Sequence, residues 1–176
     1  NASSMTGDVN TDANGSVLAS EVHDYDLAGN RIRSITFDGS RYLTTTFTYD
    51  ALGRPKTITR PGNEGTWTFF YDNATGKGIG QAWKTTGPNG YLSTIAYDSL
   101  GRPSSTTLTR DGKSFVSSTS YDALGRPSTT RDAGGLAIVH EYDSFTSQAL
   151  SSTIAPGQPG GNTVLWQAGT FDSQGR

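Results

Sequence analysis

The chain of 176 residues has a formal net charge of −2, no cysteine and no run of Lys or Arg. That balance argues against nucleic acid and anionic surfaces as partners and excludes disulfides and thiol chemistry. Only 32% of the residues are hydrophobic, and the longest apolar runs are short, as in Leu136-Ala137-Ile138-Val139, so no membrane-spanning segment is expected. Leu, Ile, Val and Phe make up less than a fifth of the chain, a content that alone would suggest disorder. A sustained period-two pattern in Thr, Tyr and Phe argues instead for short strands.

Residues 1–7 are polar and are expected to form a disordered end or a cloning scar, with the folded unit running over residues 8–176. The start without Met and the stop at Gly175-Arg176 suggest a piece cut from a larger protein. Next, Asn10, Asp12, Asn14, Gly15, Val17 and Glu21 fall at the spacing of a calcium-binding EF-hand loop. No flanking helices are apparent, and the stretch matches Asp132-Ala133-Gly134-Gly135 and the strand after it. The reading preferred is a turn, and no metal site is assigned.

Tyr49-Asp50-Ala51-Leu52-Gly53-Arg54-Pro55 then sets a pattern. It returns as Tyr97-Asp98-Ser99-Leu100-Gly101-Arg102-Pro103 and as Tyr121-Asp122-Ala123-Leu124-Gly125-Arg126-Pro127. Weaker copies begin at Tyr25, Tyr71, Tyr142 and Phe171, giving about seven units with the last one truncated. A repeat of this length marks an array of small supersecondary units. In Leu43-Thr44-Thr45-Thr46-Phe47-Thr48-Tyr49, alternate residues share a face, which predicts a strand. Asp50 and Gly53 supply a three-residue hairpin loop with a glycine bulge. That register puts Tyr49 opposite Pro55, Phe47 opposite Thr57 and Asp50 opposite Arg54, with the latter two as an exposed pair. Pro55, Pro103 and Pro127 must sit where a missing N–H is harmless.

A second set of turns lies between the copies, at Phe37-Asp38-Gly39, 61–65, 87–90, Arg110-Asp111-Gly112 and 132–135. Two turns per unit predict two strands per unit, each of seven to nine residues. The fold class expected is all-β: an antiparallel meander of hairpins forming a twisted, largely single-layer sheet. The Tyr71 copy carries an extra residue before Gly76, and the Tyr142 copy has lost its glycine. Gly76-Lys77-Gly78-Ile79-Gly80 lacks phosphate-loop spacing and reads as a bulged strand. Residues 155–162 form the longest loop, expected to be a mobile tip. Asn73-Ala74-Thr75 is a glycosylation sequon, meaningful only in a eukaryotic secretory setting.

These motifs resemble the YD repeat, also called the RHS repeat, over roughly residues 8–176. The repeat is found in bacterial polymorphic toxins, cocoon-forming subunits of insecticidal toxin complexes, wall-associated proteins and teneurins. The resemblance implies a long spiralling sheet that forms a hollow shell, which in the toxins encloses a C-terminal effector. It implies flanking repeats and a C-terminal toxin cargo as partners, and a secreted or cell-surface bacterial location. The structural signature consists of Tyr49, Asp50, Gly53, Arg54, Tyr97, Asp98, Gly101, Arg102, Tyr121, Asp122, Gly125 and Arg126.

A nucleophile with a supporting base is not found, G-x-S-x-G is absent, and the Asp residues recur in every unit as turn caps. The chain is therefore read as non-enzymatic and without cofactors. His23 and His140 precede a repeat Tyr by two residues, in the slot that Phe47, Phe69 and Ile95 fill elsewhere. A flat or bulky strand residue is the reading preferred over a metal ligand. Trp67, Phe69 and Tyr71 share one face of the most aromatic strand, with Trp83 in the next strand. These four are the candidates for stacking on glycans, against the plainer reading of cross-strand packing.

Overall fold

The computed structural model describes residues 3–11, 13–15, 17–73 and 77–169. Among these, fourteen strands form one antiparallel sheet in which every strand pairs with its sequence neighbour. They are β1 (Ser3–Thr11), β2 (Val17–Tyr25), β3 (Arg31–Phe37), β4 (Tyr42–Tyr49), β5 (Pro55–Thr59), β6 (Thr66–Tyr71) and β7 (Ala82–Thr86). Then follow β8 (Leu92–Tyr97), β9 (Pro103–Arg110), β10 (Lys113–Tyr121), β11 (Pro127–Arg131), β12 (Ala137–Tyr142), β13 (Ala149–Ile154) and β14 (Val164–Gln167). β1 begins inside the stretch 1–7 expected to be disordered, pairing Ser3 with Tyr25. Asp12, Ala74, Thr75, Gly76 and the copy at Phe171 lie outside the described residues, and with them the calcium and sequon readings and part of the Tyr71 turn.

Each Tyr–Asp turn closes as the residue types require. In the Tyr49 unit, Asp50 N–H donates to the Arg54 carbonyl at 2.9 Å and Gly53 N–H donates to the Asp50 carbonyl at 3.0 Å. Gly53 has φ +76°, a conformation that costs any residue with a Cβ. The same two bonds recur from Asp98 and Asp122. The turn at Asp132, on the opposite edge of the sheet, closes identically, with Asp132 N–H on Leu136 O and Gly135 N–H on Asp132 O.

The register then departs from expectation by one residue. Tyr49 does pair with Pro55, but Thr48 pairs with Thr57 and Phe47 with Ile58, not Thr57. Lys56 is an extra residue in β5, a bulge. The same position is skipped in every described unit, at Ile32, Trp83, Ser104, Ser128 and Leu150. A bulge leaves one residue out of the ladder. Proline is tolerated beside it because the pairing is already interrupted there. Bulges and tight turns also shorten the strands: β5, β7 and β11 have five residues and β14 four, below the expected seven to nine.

The degenerate copies close in their own ways. In the Tyr71 unit the chain runs on to Gln81, whose carbonyl accepts Asp72 N–H, and the left-handed glycine is Gly80 at φ +83°. Gly78 to Gly80 therefore form a turn, not the bulged strand expected. Asp72 Oδ1 accepts from Gly80 N–H at 2.7 Å and holds that turn in place. In the Tyr142 unit Ser147 takes φ +60° in place of the missing glycine, and the turn is one residue longer, closing on Gln148. The loop 155–162, expected to be a mobile tip, is tied by backbone bonds from Ala155 to Ala137 and from Asn162 to Ile154.

The sheet has almost no core. Among the described residues, the buried apolar side chains are Tyr97, 8% exposed, and Ala137, 1% exposed. β4 alternates exposed and half-buried positions, so one face is open to solvent and the other, with Leu43, Phe47 and Tyr49, is only partly covered. With so little apolar surface removed from water, cohesion rests on ladders, turns and cross-strand pairs.

Candidate functional site: the Tyr–Asp turns and the aromatic strand

Asp50 organises its turn with both carboxylate oxygens. Oδ1 accepts from the N–H groups of Leu52 at 2.9 Å and Arg54 at 3.0 Å, while Oδ2 accepts from Arg54 Nε at 2.6 Å. Asp98 with Arg102, and Asp122 with Arg126, repeat this arrangement. The Asp–Arg pair is thus half-buried within the turn, not an exposed cross-strand pair. Asn30 takes the Arg position in the Tyr25 unit, and its side-chain amide donates to Asp26 at 3.0 Å.

The signature residues also act between units. The Arg54 guanidinium lies over the Tyr71 ring at 4.3 Å, Arg102 over Tyr121 at 4.1 Å and Arg126 over Tyr142 at 4.4 Å. Tyr49, Tyr71, Tyr97, Tyr121 and Tyr142 in turn each donate a hydroxyl to a carbonyl of the preceding unit. Tyr71 reaches Pro55 O, Tyr121 reaches Pro103 O and Tyr142 reaches Pro127 O, at 2.8 to 2.9 Å. Tyr49 uses Arg31 O and Tyr97 uses Ala82 O. All five acceptors are the first residue of the strand after the turn, next to the bulge, where the ladder leaves a carbonyl free. Sequence spacing placed Tyr49 beside Arg54 in one unit; its hydroxyl and the guanidinium serve different neighbours.

Arg54 carries a further load. Because Gln81 stands where the Tyr71 unit would have its own Arg, Arg54 also forks onto Asp72, Nη1 to Oδ1 at 3.0 Å and Nη2 to Oδ2 at 2.6 Å. That guanidinium and the Gly80 N–H hold the Asp72 carboxyl down at about 2. The backbone N–H of Arg102 and its guanidinium likewise hold Asp98 below its ordinary value, against the opposing pull of desolvation. These carboxylates are ionised at neutral pH and occupied as acceptors, which suits turn closure rather than proton transfer.

The aromatic candidates divide. Trp67, Phe69 and Tyr71 alternate onto one side of β6, but Tyr71 is covered by Arg54. Trp83 sits at the bulge and meets Phe70, 6.5 Å between centroids, the residue that alternates away from the other three. Lys84 Nζ lies 4.9 Å from the Phe70 ring centroid and 5.7 Å from that of Trp83. Trp67 instead packs on Tyr91 at 4.7 Å with an interplanar angle of 60°. Tyr91 was not singled out in the sequence because it closes a turn just before β8, outside the repeat pattern.

His140 bonds to Thr130 on one side at 3.0 Å and Ser152 on the other at 2.9 Å, a cross-strand bridge. His23 approaches Glu21 at 3.5 Å, its neighbour two residues back on the same face. No group of three or more potential metal ligands occurs among the described residues.

Residues 97–137, which hold two of the three near-identical units, match the family model described as RHS Repeat. No curated protein matches the chain in sequence. The fold is similar to that in the structure of the Photorhabdus luminescens Tc holotoxin pore with a mutated TccC3. The TM-score is 0.52 at 16% identity, over 98% of this chain and 11% of that one. The crystal structure of TcdB2-TccC3-Cdc42 aligns at 16% identity with a TM-score of 0.47, again over 98% of this chain and 11% of that one. The chain thus spans only a small part, 11%, of the length of either chain. Residues 97–137 are an RHS, or YD, repeat, set in a sheet whose flanking units are built around the same Tyr–Asp pair.

Proposed function

We propose that this chain is a length of wall in a large secreted bacterial RHS-repeat protein, part of a shell that encloses or carries a toxin or effector. The observation that carries this reading is the bare sheet: fourteen strands in one layer with two buried apolar residues among those described. A layer of this kind separates two aqueous volumes without needing a second sheet to pack on. Its partners are the flanking repeats, which continue the ladder from the outer edge of β14, where Val164, Leu165 and Trp166 are about half exposed. The role is architectural and not enzymatic, since the recurrent carboxylates are committed to turns. Among the described residues no helix is long and apolar enough to cross a membrane.

The test is electron microscopy of the parent protein with its flanking sequence, combined with proteolysis of its C-terminal segment. A hollow particle that protects the segment until the wall is opened is expected. A filled particle, or a segment cleaved as fast as an unfolded control, would overturn the reading.

A second reading, recognition of a carbohydrate by aromatic side chains of the sheet, is favoured by one observation, the meeting of Trp67 and Tyr91 between two turns.

A further inference from the structure

Two turns on the same edge of the sheet are locked together by glycines. A Cβ on Gly65 would come within 2.8 Å of Pro88 Cγ, and one on Gly87 within 2.8 Å of the Trp67 ring. The absence of both side chains lets the turn 60–65 and the turn 87–91 close on each other. Between them lies an open groove of about 310 Å³, within the range of small-ligand sites. The Trp67 and Tyr91 rings form its apolar surface, and the exposed carboxamides of Asn63 and Asn89 stand at its rim.

The charges at this groove are balanced. Arg60 Nη1 lies 3.6 Å from Glu64, and Arg110 Nε lies 3.7 Å from Asp111. Each guanidinium is therefore offset by an adjacent carboxylate, which disfavours an anionic ligand. An aromatic surface ringed by amides and paired charges suits a ring with one C–H face and hydroxyls around its edge. The other aromatic groups are less available: Tyr71 is capped by Arg54, and Trp83 packs with Phe70 and Lys84.

We infer that the groove lined by Trp67 and Tyr91 binds a neutral hexose or N-acetylhexosamine residue of a glycan. The pyranose C–H face stacks on an aromatic ring while its hydroxyls bond to Asn63, Asn89 and the Arg60–Glu64 pair. This deepens the carbohydrate reading given above and rests on it.

The test uses the whole chain on an array of neutral oligosaccharides ending in hexose or N-acetylhexosamine, with acidic ones ending in sialic or uronic acid. Calorimetry with chitobiose and cellobiose follows. Tyr91→Ala and Asn89→Gly probe the groove; the glycine keeps the left-handed backbone of Asn89, φ +55°, while removing its amide. Trp83→Ala is the control, and circular dichroism checks the fold of each variant. Expected is binding of neutral glycans, weakened about tenfold or more by Tyr91→Ala and measurably by Asn89→Gly, and unchanged by Trp83→Ala. Binding confined to acidic glycans, or indifferent to Tyr91 and Asn89, would overturn the groove. Loss with Trp83→Ala alone would do the same while leaving carbohydrate recognition in place elsewhere on the sheet. Silence across the array would remove both.

Discussion

The Arg102 guanidinium lies 4.1 Å from the centroid of the Tyr121 ring, so the side chain that closes one turn also caps the aromatic residue of the next unit. Its Nη2 remains 2.7 Å from Asp98 Oδ2, so both contacts are made at once. Because the Tyr121 hydroxyl donates to Pro103 O, two independent contacts cross the same unit boundary.

A double-mutant cycle with Arg102→Gln and Tyr121→Leu should return a coupling free energy of about 0.5–1 kcal/mol, the range for a cation over an aromatic face at a partly exposed site. Urea unfolding of the four proteins measures it. Additive effects would show that the stacking contributes nothing.

Tyr97→Phe removes a hydroxyl that donates to Ala82 O at 2.6 Å, on the one repeat Tyr that is buried. The carbonyl left behind loses its partner in a poorly hydrated place. A loss of about 1–2 kcal/mol is expected from the urea midpoint. Tyr142→Phe, where the hydroxyl bond to Pro127 O is exposed, should cost less.

Acid should weaken the sheet. Asp72 and Asp38 titrate at about 2 in the fold against 3.8 as the ordinary value, Asp72 chiefly through Arg54 and Asp38 chiefly through Arg41 N–H. A carboxyl depressed on folding contributes its full stabilisation above the unfolded value and loses it as pH falls through the folded one. Stability should therefore hold above about pH 4 and decline towards pH 2. Asp72→Asn should flatten that decline, and urea midpoints read against pH decide it.

Gly53→Ala should destabilise by about 1–2 kcal/mol, because φ is +76° there while no atom lies closer than 4.0 Å to the added Cβ. Gly53→Asn should lose less, since Asn enters the left-handed region more readily. At Gly87 the cause is different: the new methyl meets Trp67, and displacement of that ring should change tryptophan fluorescence as well as the urea midpoint.

Much of this architecture could be read from the residues. Tyr49 opposite Pro55 follows from an Asp-x-x-Gly loop of known length, and the loop follows from what Asp and Gly can do locally. Phe47 opposite Ile58 did not follow, because simple alternation has no signal for an extra residue at Lys56. The corresponding bulge at Trp83 left that residue out of the ladder and against Phe70, and the candidate aromatic platform split in two. Gly80 in place of Gly76 was missed for a related reason: the nearer glycine satisfies the motif, but the carboxylate of Asp72 holds the farther one. Contacts between units, such as Arg54 on Tyr71, lie 17 positions apart and are invisible to any window the length of one hairpin.

The recurrence of the bulge has a geometric consequence. A bulged strand bends and gains twist, and here the extra residue falls at the same place, just after the Tyr–Asp turn, in each described unit. Increments of the same sense add instead of cancelling, so each unit that lengthens the array adds its own bend and twist to the ribbon.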